Sequence, residues 1–296
     1  MIYNNLLFIS LLLIACNGNN ISNEPSPLEL ITIEQDYEDA LAQSSKYDKL
    51  LFIDFYTSWC APCKQLDTLV FRNDTISQKL GKDFVLLRYD AENDTTFHLS
   101  KKHHVNSYPT GLVLNSEGYV VNRQYGFKGD NTNDLSKSVF EFTNQSIELH
   151  QKGKTLQGYS NNIDISKYPQ FYIDYVNRDD KKAKKRADFQ AFWINQNDFL
   201  LEENFTTLAY FASDAPTDIA DNFLQKKENF IALYGEKDVD IALTFFSMGK
   251  FDDAIASQNK VAFQEASSFA EEAIGKESAT QLLTFFQLQF EEALSQ

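Results

Sequence analysis

The chain has 296 residues, of which 43% are hydrophobic and 23% are charged, a composition typical of a globular protein with a substantial core. This length favours two domains, because a domain usually holds about 100–200 residues. The net charge of −15 at pH 7 argues against nucleic acid as a partner, since phosphate binding needs clustered Lys and Arg.

The first 15 residues are predicted to be an export signal. Residues 6–14 are apolar, but the run is shorter than the roughly 20 residues that span a bilayer as a helix. It ends at Cys16 in the sequence LIAC, which resembles the bacterial lipobox, in which the cysteine becomes the lipidated N-terminus. This implies a lipid-anchored protein in the bacterial cell envelope, facing the periplasm. An ordinary signal peptide with an incidental cysteine is the alternative. Residues 16–30 are polar and contain proline, which indicates a flexible tether.

A dithiol follows the most apolar segment of the first half. Residues 50–56 form a nearly continuous apolar run, as expected for a strand buried on both faces. A turn and the start of a helix come next: Trp59, Cys60, Ala61, Pro62 and Cys63. Partial positive charge at a helix N-terminus stabilises a thiolate, so we expect Cys60 to attack and Cys63 to resolve. Pro62 lies in the first helical turn, where its missing N–H costs little.

Asp54 interrupts the apolar strand. An isolated ionised carboxylate in such a place would be costly to bury, so we expect Asp54 to be paired or to have a raised pKa. The alternative is an acid at a strand end that reaches solvent.

The other elements of the first half follow from hydrophobic spacing and turn residues. They are a helix over residues 33–47, the continuation of the helix after the dithiol over 64–71, a helix opened by a capping cluster over 73–75 and running to Leu80, a strand over 84–89, a helix over 94–104, a hairpin with strands over 111–115 and 118–123, and a helix over 130–150. This order predicts an α/β fold with a central mixed sheet and helices on both faces.

A proline precedes the hairpin, in the sequence Tyr108, Pro109, Thr110. An aromatic residue before a proline that opens a strand makes the Tyr108–Pro109 bond a candidate cis peptide. An ordinary trans proline at a strand start is the alternative.

These segments together resemble thioredoxin-fold proteins. The resemblance rests on DFYTSWCAPCK, VFRNDTISQKL, DFVLLRYDAEND and NSYPTGLVLNSEG, and is closest to periplasmic thioredoxin-like domains such as the C-terminal domain of the DsbD reductase. It implies a thioredoxin fold over residues 31–150 and thiol–disulfide oxidoreductase activity without a cofactor or metal. The expected partners are proteins with disulfides and an upstream thiol–disulfide electron donor.

The resemblance also implies roles for single residues. Asp54 would relay a proton to or from Cys63 through water. A cis Pro109 would face the cysteine pair, and the backbone beside it would hold the substrate as an added strand. The implied substrate-binding residues are Trp59, Ala61, Pro62, Tyr108, Pro109 and Thr110. The lysine that often accompanies the acid is absent: Leu86 falls near its place, with Arg88 two residues on.

The second half carries helical spacing and almost no strand signal. Residues 151–165, rich in Gly, Asn and Lys, are predicted to be a linker, and residues 166–296 an all-helical domain of antiparallel helix pairs. A basic run over 181–186 indicates a solvated helix face or loop, with attraction to anionic lipid as the alternative. Residues 190–235 resemble C-terminal regions of thioredoxin-like proteins in Bacteroidota, which implies architecture only.

Two functions stay open at this point. The first is an envelope oxidoreductase that reduces protein disulfides, in which Cys63 resolves the mixed disulfide formed by Cys60. Pro62, placed as in reducing thioredoxins, favours this direction. The second is a redox-sensitive binding or adaptor protein, with the helical domain capturing a partner and the first domain as scaffold or latch. A metal site at the two cysteines is disfavoured, because two thiolates are half of a typical zinc shell.

Overall fold

The computed structural model describes residues 29–177, 189, 191–196 and 198–295. The predicted export signal, the lipidation site Cys16, nearly all of the tether and the basic run over 181–186 lie outside these residues. None of the described helices is both long and apolar enough to span a bilayer.

A mixed sheet of five strands organises residues 32–125. The strands are β1 (Thr32–Glu34), β2 (Leu50–Tyr56), β3 (Phe84–Asp90), β4 (Thr110–Leu114) and β5 (Val120–Tyr125). Their order is β1-β3-β2-β4-β5. The first three in this order are parallel, while β4 is antiparallel to both β2 and β5. The predicted mixed sheet is therefore confirmed.

Five helices accompany this sheet in the described chain. They are α1 (Tyr37–Tyr47), α2 (Ala61–Leu66), which continues as a π-helical turn (Asp67–Phe71), α3 (Asp74–Leu80), α4 (Leu99–Lys102) and α5 (Thr132–Gln151). The Asn73 side chain caps α3 by accepting a hydrogen bond from the N–H of Ile76 at 3.2 Å, as predicted.

Two predicted helices begin or end elsewhere. The helix predicted over residues 33–47 is wrong at its start, because the first two of these residues belong to β1. Asp36 instead caps α1 by accepting from the N–H of Asp39 at 3.0 Å. The helix predicted over residues 94–104 is confined to the four residues of α4, and His98 before it has a left-handed backbone with φ of 54°.

The two faces of the sheet have different covers. Phe52 and Val113 belong to a cluster with Leu66, Val70 and Phe142, so this face packs on α2 with its π-helical turn and on α5. The opposite face belongs to a larger cluster that includes α1 and much of the second half. Burial of each large apolar side chain contributes about 1.5–3 kcal/mol, so both covers are needed for a stable sheet.

The described second half contains helices only. These are α6 (Gln170–Val176), α7 (Glu202–Phe211), α8 (Thr217–Gln225), α9 (Lys227–Tyr234), α10 (Glu236–Ala256), α11 (Lys260–Ile274) and α12 (Lys276–Ser295). Stacked aromatic rings hold them together: the centroids of Phe205 and Tyr234 are 3.7 Å apart. A separate cluster around Phe251, Phe263 and Phe286 joins α10, α11 and α12. The predicted helical architecture is confirmed.

The segment between the halves is packed against both of them. The N–H of Leu156 donates to the Val120 carbonyl of β5 at 2.7 Å, and the N–H of Gly158 donates to the Leu233 carbonyl of α9 at 2.8 Å. Tyr159 is buried. Residues 152–164 thus connect α5 to the second half while contributing to the shared core. The division of the chain into domains stays a prediction.

Helix α4 docks directly on the second half. The Tyr172 hydroxyl donates to the Lys101 carbonyl at 2.5 Å, and the Thr206 hydroxyl donates to the Lys102 carbonyl at 3.4 Å. The Lys102 ammonium also pairs with the Glu202 carboxylate. These contacts satisfy carbonyl groups that a helix leaves unpaired at its C-terminus, which explains how so short a helix is held in place.

Candidate disulfide active site

The two cysteines lie where the strand-to-helix turn places them. Cys60 is the N-terminal cap of α2, and it forms a disulfide with Cys63, with Cα atoms 5.3 Å apart. The N–H of Cys63 points at the Cys60 sulfur, 3.2 Å away. A backbone donor in this position stabilises negative charge on a sulfur after reduction. Ala61 opens the helix and Pro62 occupies its first turn, as predicted.

The proline loop reaches the same end of the sheet. The Tyr108–Pro109 peptide bond is cis, which confirms the predicted geometry. The ring of Tyr108 packs edge-on against Trp59, with centroids 6.0 Å apart. Thr110 begins β4 opposite Phe55 of β2. The structure therefore brings the residues around the dithiol and the residues around Pro109 together, while their roles in substrate binding stay predictions.

The disulfide is almost enclosed, but its tryptophan is not. Cys60 is 3% exposed and Cys63 is 1% exposed, whereas Trp59 is 59% exposed. The Trp59 indole N–H donates to the Glu92 carboxylate at 2.9 Å. Trp59 is thus fixed from two sides, by Glu92 and by Tyr108, and an incoming group must reach the Cys60 sulfur beside it.

Asp54 is fully buried on the sheet face covered by α2. Its side chain has no exposed surface, so the alternative of an acid that reaches solvent is wrong. The Arg88 guanidinium Nε lies 3.5 Å from its Oδ2, and in the described structure neither carboxylate oxygen has a hydrogen-bond partner. Burial raises the pKa of Asp54 to about 7, against the lowering effect of Arg88. Asp54 is therefore both paired and perturbed, as expected.

Arg88 also connects Asp54 to the active-site helix. Its Nη1 donates to Asp67 at 2.6 Å, and Asp67 belongs to the π-helical turn that continues α2. One guanidinium thus holds two carboxylates, one on β2 and one on the helix that carries Cys63. This arrangement gives the strand acid a fixed position under the helix.

Sequence reasoning missed the roles of Arg88 and Glu92. Arg88 lies directly opposite Asp54 in the register of β2 and β3, so a correct strand alignment would have identified it as the partner. Glu92 follows β3 in a short 3-10 helix, and nothing in its sequence pattern indicates that Trp59 lies beside it. Within the described residues, no group of three or more His, Cys, Asp or Glu side chains is placed to hold a metal ion.

Comparisons with known proteins match this part of the chain. A family model described as thioredoxin-like matches residues 32–116. Thioredoxin-1 of Drosophila melanogaster is 29% identical over 92 residues, which are 31% of this chain and 81% of that protein. Residues 32–116 form a thioredoxin-like domain.

Further relatives match the same domain. The thiol:disulfide interchange protein DsbD of Salmonella typhimurium is 32% identical over 105 residues, 34% of this chain but only 18% of DsbD. Among solved structures, a thioredoxin from Thermus thermophilus is 19% identical, covering 42% of this chain and 94% of its own, with a TM-score of 0.35. A candidate disulphide isomerase from Bacteroides thetaiotaomicron is 36% identical, covering 39% of this chain and 93% of its own, with a TM-score of 0.33.

Within this thioredoxin-like domain, the Cys60–Cys63 disulfide has the spacing of a CxxC redox site. The chain spans most of the fly thioredoxin but less than a fifth of DsbD.

Proposed function

We propose that the protein is a thiol–disulfide oxidoreductase of the bacterial cell envelope that reduces disulfides in other proteins. The observation that carries the proposal is the Cys60–Cys63 disulfide at the start of α2, beside the contact between Trp59 and Tyr108. The same two sulfurs can hold a pair of electrons as thiols and release them by closing.

The reduced protein starts with a Cys60 thiolate and a Cys63 thiol. The Cys60 sulfur attacks one sulfur of the substrate disulfide, the substrate S–S bond breaks, and the first substrate thiol leaves. Cys63 then loses its proton and attacks the Cys60 sulfur, which releases the second substrate thiol and forms the Cys60–Cys63 disulfide. Two electrons pass to the substrate, and an upstream dithiol protein supplies them again.

Asp54 would accept the proton of Cys63 and return it. A carboxyl with a pKa of about 7 can take a proton and give it back near neutral pH, which is the property that general acid–base catalysis requires. Its place on the sheet face under α2 supports transfer through a water molecule, as the family resemblance implies.

The location and direction rest on separate arguments. The relative named DsbD is a thiol:disulfide interchange protein, and the LIAC sequence at Cys16 supports lipid anchoring in the envelope. Pro62 between the cysteines supports the reducing direction.

The experiment uses insulin reduction with dithiothreitol as the electron source. Cys60→Ala should abolish the acceleration given by the wild-type protein, because no sulfur is left to attack. In a separate incubation, Cys63→Ala is reduced, freed of dithiothreitol and mixed with disulfide-containing substrate proteins; it should accumulate mixed disulfides, because no thiol remains to resolve them. The double variant Cys60→Ala/Cys63→Ala is the matched control and should trap nothing.

Undiminished insulin reduction by Cys60→Ala would reject the assignment. A wild-type protein that binds disulfide-containing proteins differently when oxidised, yet never reduces them, would support the adaptor function instead.

A further inference from the structure

The proline loop, residues 105–109, contains no helix or strand. It follows α4 closely and ends where Thr110 opens β4. Its Tyr108 ring packs on Trp59 beside the disulfide, so a shift of the loop would move one wall of the site. The contacts that hold this loop therefore affect how a substrate meets the disulfide.

The start of the proline loop is bonded to α4. The N–H of Val105 donates to the Ser100 carbonyl at 2.9 Å, and the N–H of His104 donates to the Lys101 carbonyl at 3.2 Å. His104 has a left-handed backbone with φ of 39°. That conformation costs free energy in a residue other than glycine and persists only where surrounding contacts impose it. The direction in which the chain enters the loop is thus set by contacts at the end of α4.

Those contacts come from outside the thioredoxin-like domain. The Lys101 carbonyl that accepts from His104 also accepts from the Tyr172 hydroxyl of α6, at 2.5 Å. The Nε2 atom of His104 lies 2.8 Å from the Tyr159 hydroxyl, in the segment between the halves. Thr206 of α7 donates to the next carbonyl of α4 at 3.4 Å. These side chains are buried, so a group that loses its partner here cannot readily turn to water instead.

The end of the proline loop is connected to the second half as well. The Pro109 carbonyl accepts from the N–H of Gly126 at 2.8 Å, directly after β5. The hydroxyl of the neighbouring Tyr125 donates to Asp238 of α10 at 2.9 Å. Both ends of the loop are therefore joined by short chains of hydrogen bonds to helices beyond the residues that the thioredoxin-like family model matches.

We propose that the second half positions the proline loop for protein substrates, with Tyr172 as a positioning residue that acts through the Lys101 carbonyl and His104. The inference rests on the proposed function and gives α6 and α7 a role in it. A loop that is already held in place loses little conformational freedom when a substrate segment binds beside Pro109. Where only a fraction of molecules holds the loop correctly, the apparent affinity for the substrate falls to that fraction of its full value.

A small disulfide provides a reference reaction that does not need the loop. It reaches the Cys60 sulfur without a polypeptide on either side, so its rate constant reports on the dithiol alone. A protein disulfide also needs a place for the backbone that flanks it. The ratio of the two rate constants consequently measures what the loop contributes. Because both constants scale with the amount of active protein, partial unfolding cancels in the ratio.

The test measures both second-order rate constants in the full chain and in two variants. Each protein is fully reduced, freed of reductant and mixed with excess insulin or with the small aromatic disulfide dithiobis(nitrobenzoate). The reaction is stopped with acid, the remaining thiols are alkylated, and mass spectrometry gives the fraction of oxidised protein. The variants Tyr172→Phe and Thr206→Val each remove one hydroxyl donor and keep the shape of the side chain.

Tyr234→Phe is the matched control. The Tyr234 side chain is buried, and its hydroxyl donates to the Leu200 carbonyl at 2.6 Å. Both of these residues belong to the second half, and their hydrogen bond does not involve α4. The control therefore removes the same chemical group from a similar environment without releasing the loop.

Tyr172→Phe should lower the ratio of the insulin to the small-disulfide rate constant by about fivefold, the effect of roughly one hydrogen bond. Thr206→Val should lower the ratio less, because its hydrogen bond is longer. Neither variant should change the rate constant for the small disulfide. Tyr234→Phe should leave the ratio at its wild-type value.

An unchanged ratio in both variants would overturn the inference and leave the proposed function in place. An equal fall of the ratio in Tyr234→Phe would do the same, because the effect would then not depend on α4. A wild-type protein that insulin does not oxidise would overturn the proposed function, and the inference with it.

Discussion

Asp54 lies in an environment that destabilises its ionised form. It is fully buried on β2, and its ion pair with Arg88 is long, at 3.5 Å. Arg88 also bonds Asp67 at the shorter distance of 2.6 Å, so its charge is shared between two carboxylates. Burial therefore exceeds the attraction of Arg88, and the pKa of Asp54 rises to about 7.

This pKa predicts a pH-dependent gain in stability from Asp54→Asn. The unfolded carboxyl titrates near about 3.9, so between roughly pH 4 and pH 7 the folded state binds more protons and wild-type stability falls as pH rises. Asp54→Asn does not lose stability in this way, because its amide does not titrate. Its free energy of unfolding should exceed that of the wild type by roughly 4 kcal/mol at pH 8 and by little at pH 4, at about 1.4 kcal/mol per pKa unit.

Urea unfolding at these two pH values measures the effect. Asp130→Asn, at an exposed position, is the matched control and should show no such difference. A gain for Asp54→Asn that is equal at both pH values would show that the carboxyl does not titrate as described.

The cysteines, Asp54 and Pro109 could be identified as candidate site residues from the sequence, because each of them lies in a local pattern: a strand, a turn or the start of a helix. The pairing of Arg88 with Asp54 could be predicted only from the register of β2 and β3, which a single sequence does not give. The contacts of Glu92 with Trp59 and of Tyr172 with Lys101 depend on the packing of segments far apart in the chain, and that packing leaves no local periodicity to detect.

Strand β5 and helix α10 are joined by a buried ion pair between the two halves. The Arg123 Nε lies 3.6 Å from Asp238, and both side chains are 1% exposed. Asp238 also accepts hydrogen bonds from the Tyr125 and Tyr159 hydroxyls, at 2.9 and 2.6 Å. Burial, together with the charge of Arg123, lowers the pKa of the nearby His104, so that imidazole stays neutral and Asp238 is the partner that balances Arg123.

Asp238→Ala should therefore be strongly destabilising. It leaves a buried guanidinium without its counter-charge, a change that costs about 3–5 kcal/mol in other proteins. The measurement is urea unfolding at neutral pH.

Asp240→Ala provides the comparison on the same helix. Asp240 pairs with Lys227 at 3.3 Å, but its side chain is 46% exposed, so its loss should cost about 0–1 kcal/mol. Equal losses for the two variants would show that the buried pair does not bind the halves together.

The element boundaries that the sequence mispredicts have the same origin. Strand β1 has three residues at the sheet edge, too few to show alternation. Helix α4 begins five residues later than predicted, after the left-handed backbone of His98, and ends two residues earlier, where Tyr172 and Thr206 donate to its last carbonyl groups. In both places contacts with distant residues decide the structure.

The largest hydrophobic cluster of the described residues includes side chains on both sides of the predicted linker. A single cluster contains Ile53 and Leu112 of the sheet together with Tyr172, Phe205 and Leu243 of the second half. Tyr159, in the segment between the halves, belongs to it as well. The second half thus covers sheet residues in addition to its own.

A fragment of residues 29–151 should consequently be less stable than a chain of residues 29–295. Removing the second half exposes apolar side chains of the shared cluster and leaves Arg123 unpaired. We expect a lower urea midpoint and binding of a hydrophobic dye to the fragment but not to the longer chain. A fragment that matches the longer chain in both measurements would support two independent domains.

The packed segment around Tyr159 has a consequence for how such proteins can be recombined. A chimaera made by exchanging the C-terminal half at residues 151–165 would bring a foreign surface against the back of the sheet. It would also lack the carboxylate that Arg123 needs. A stable chimaera should therefore take β5, residues 152–164 and α10 from the same parent protein.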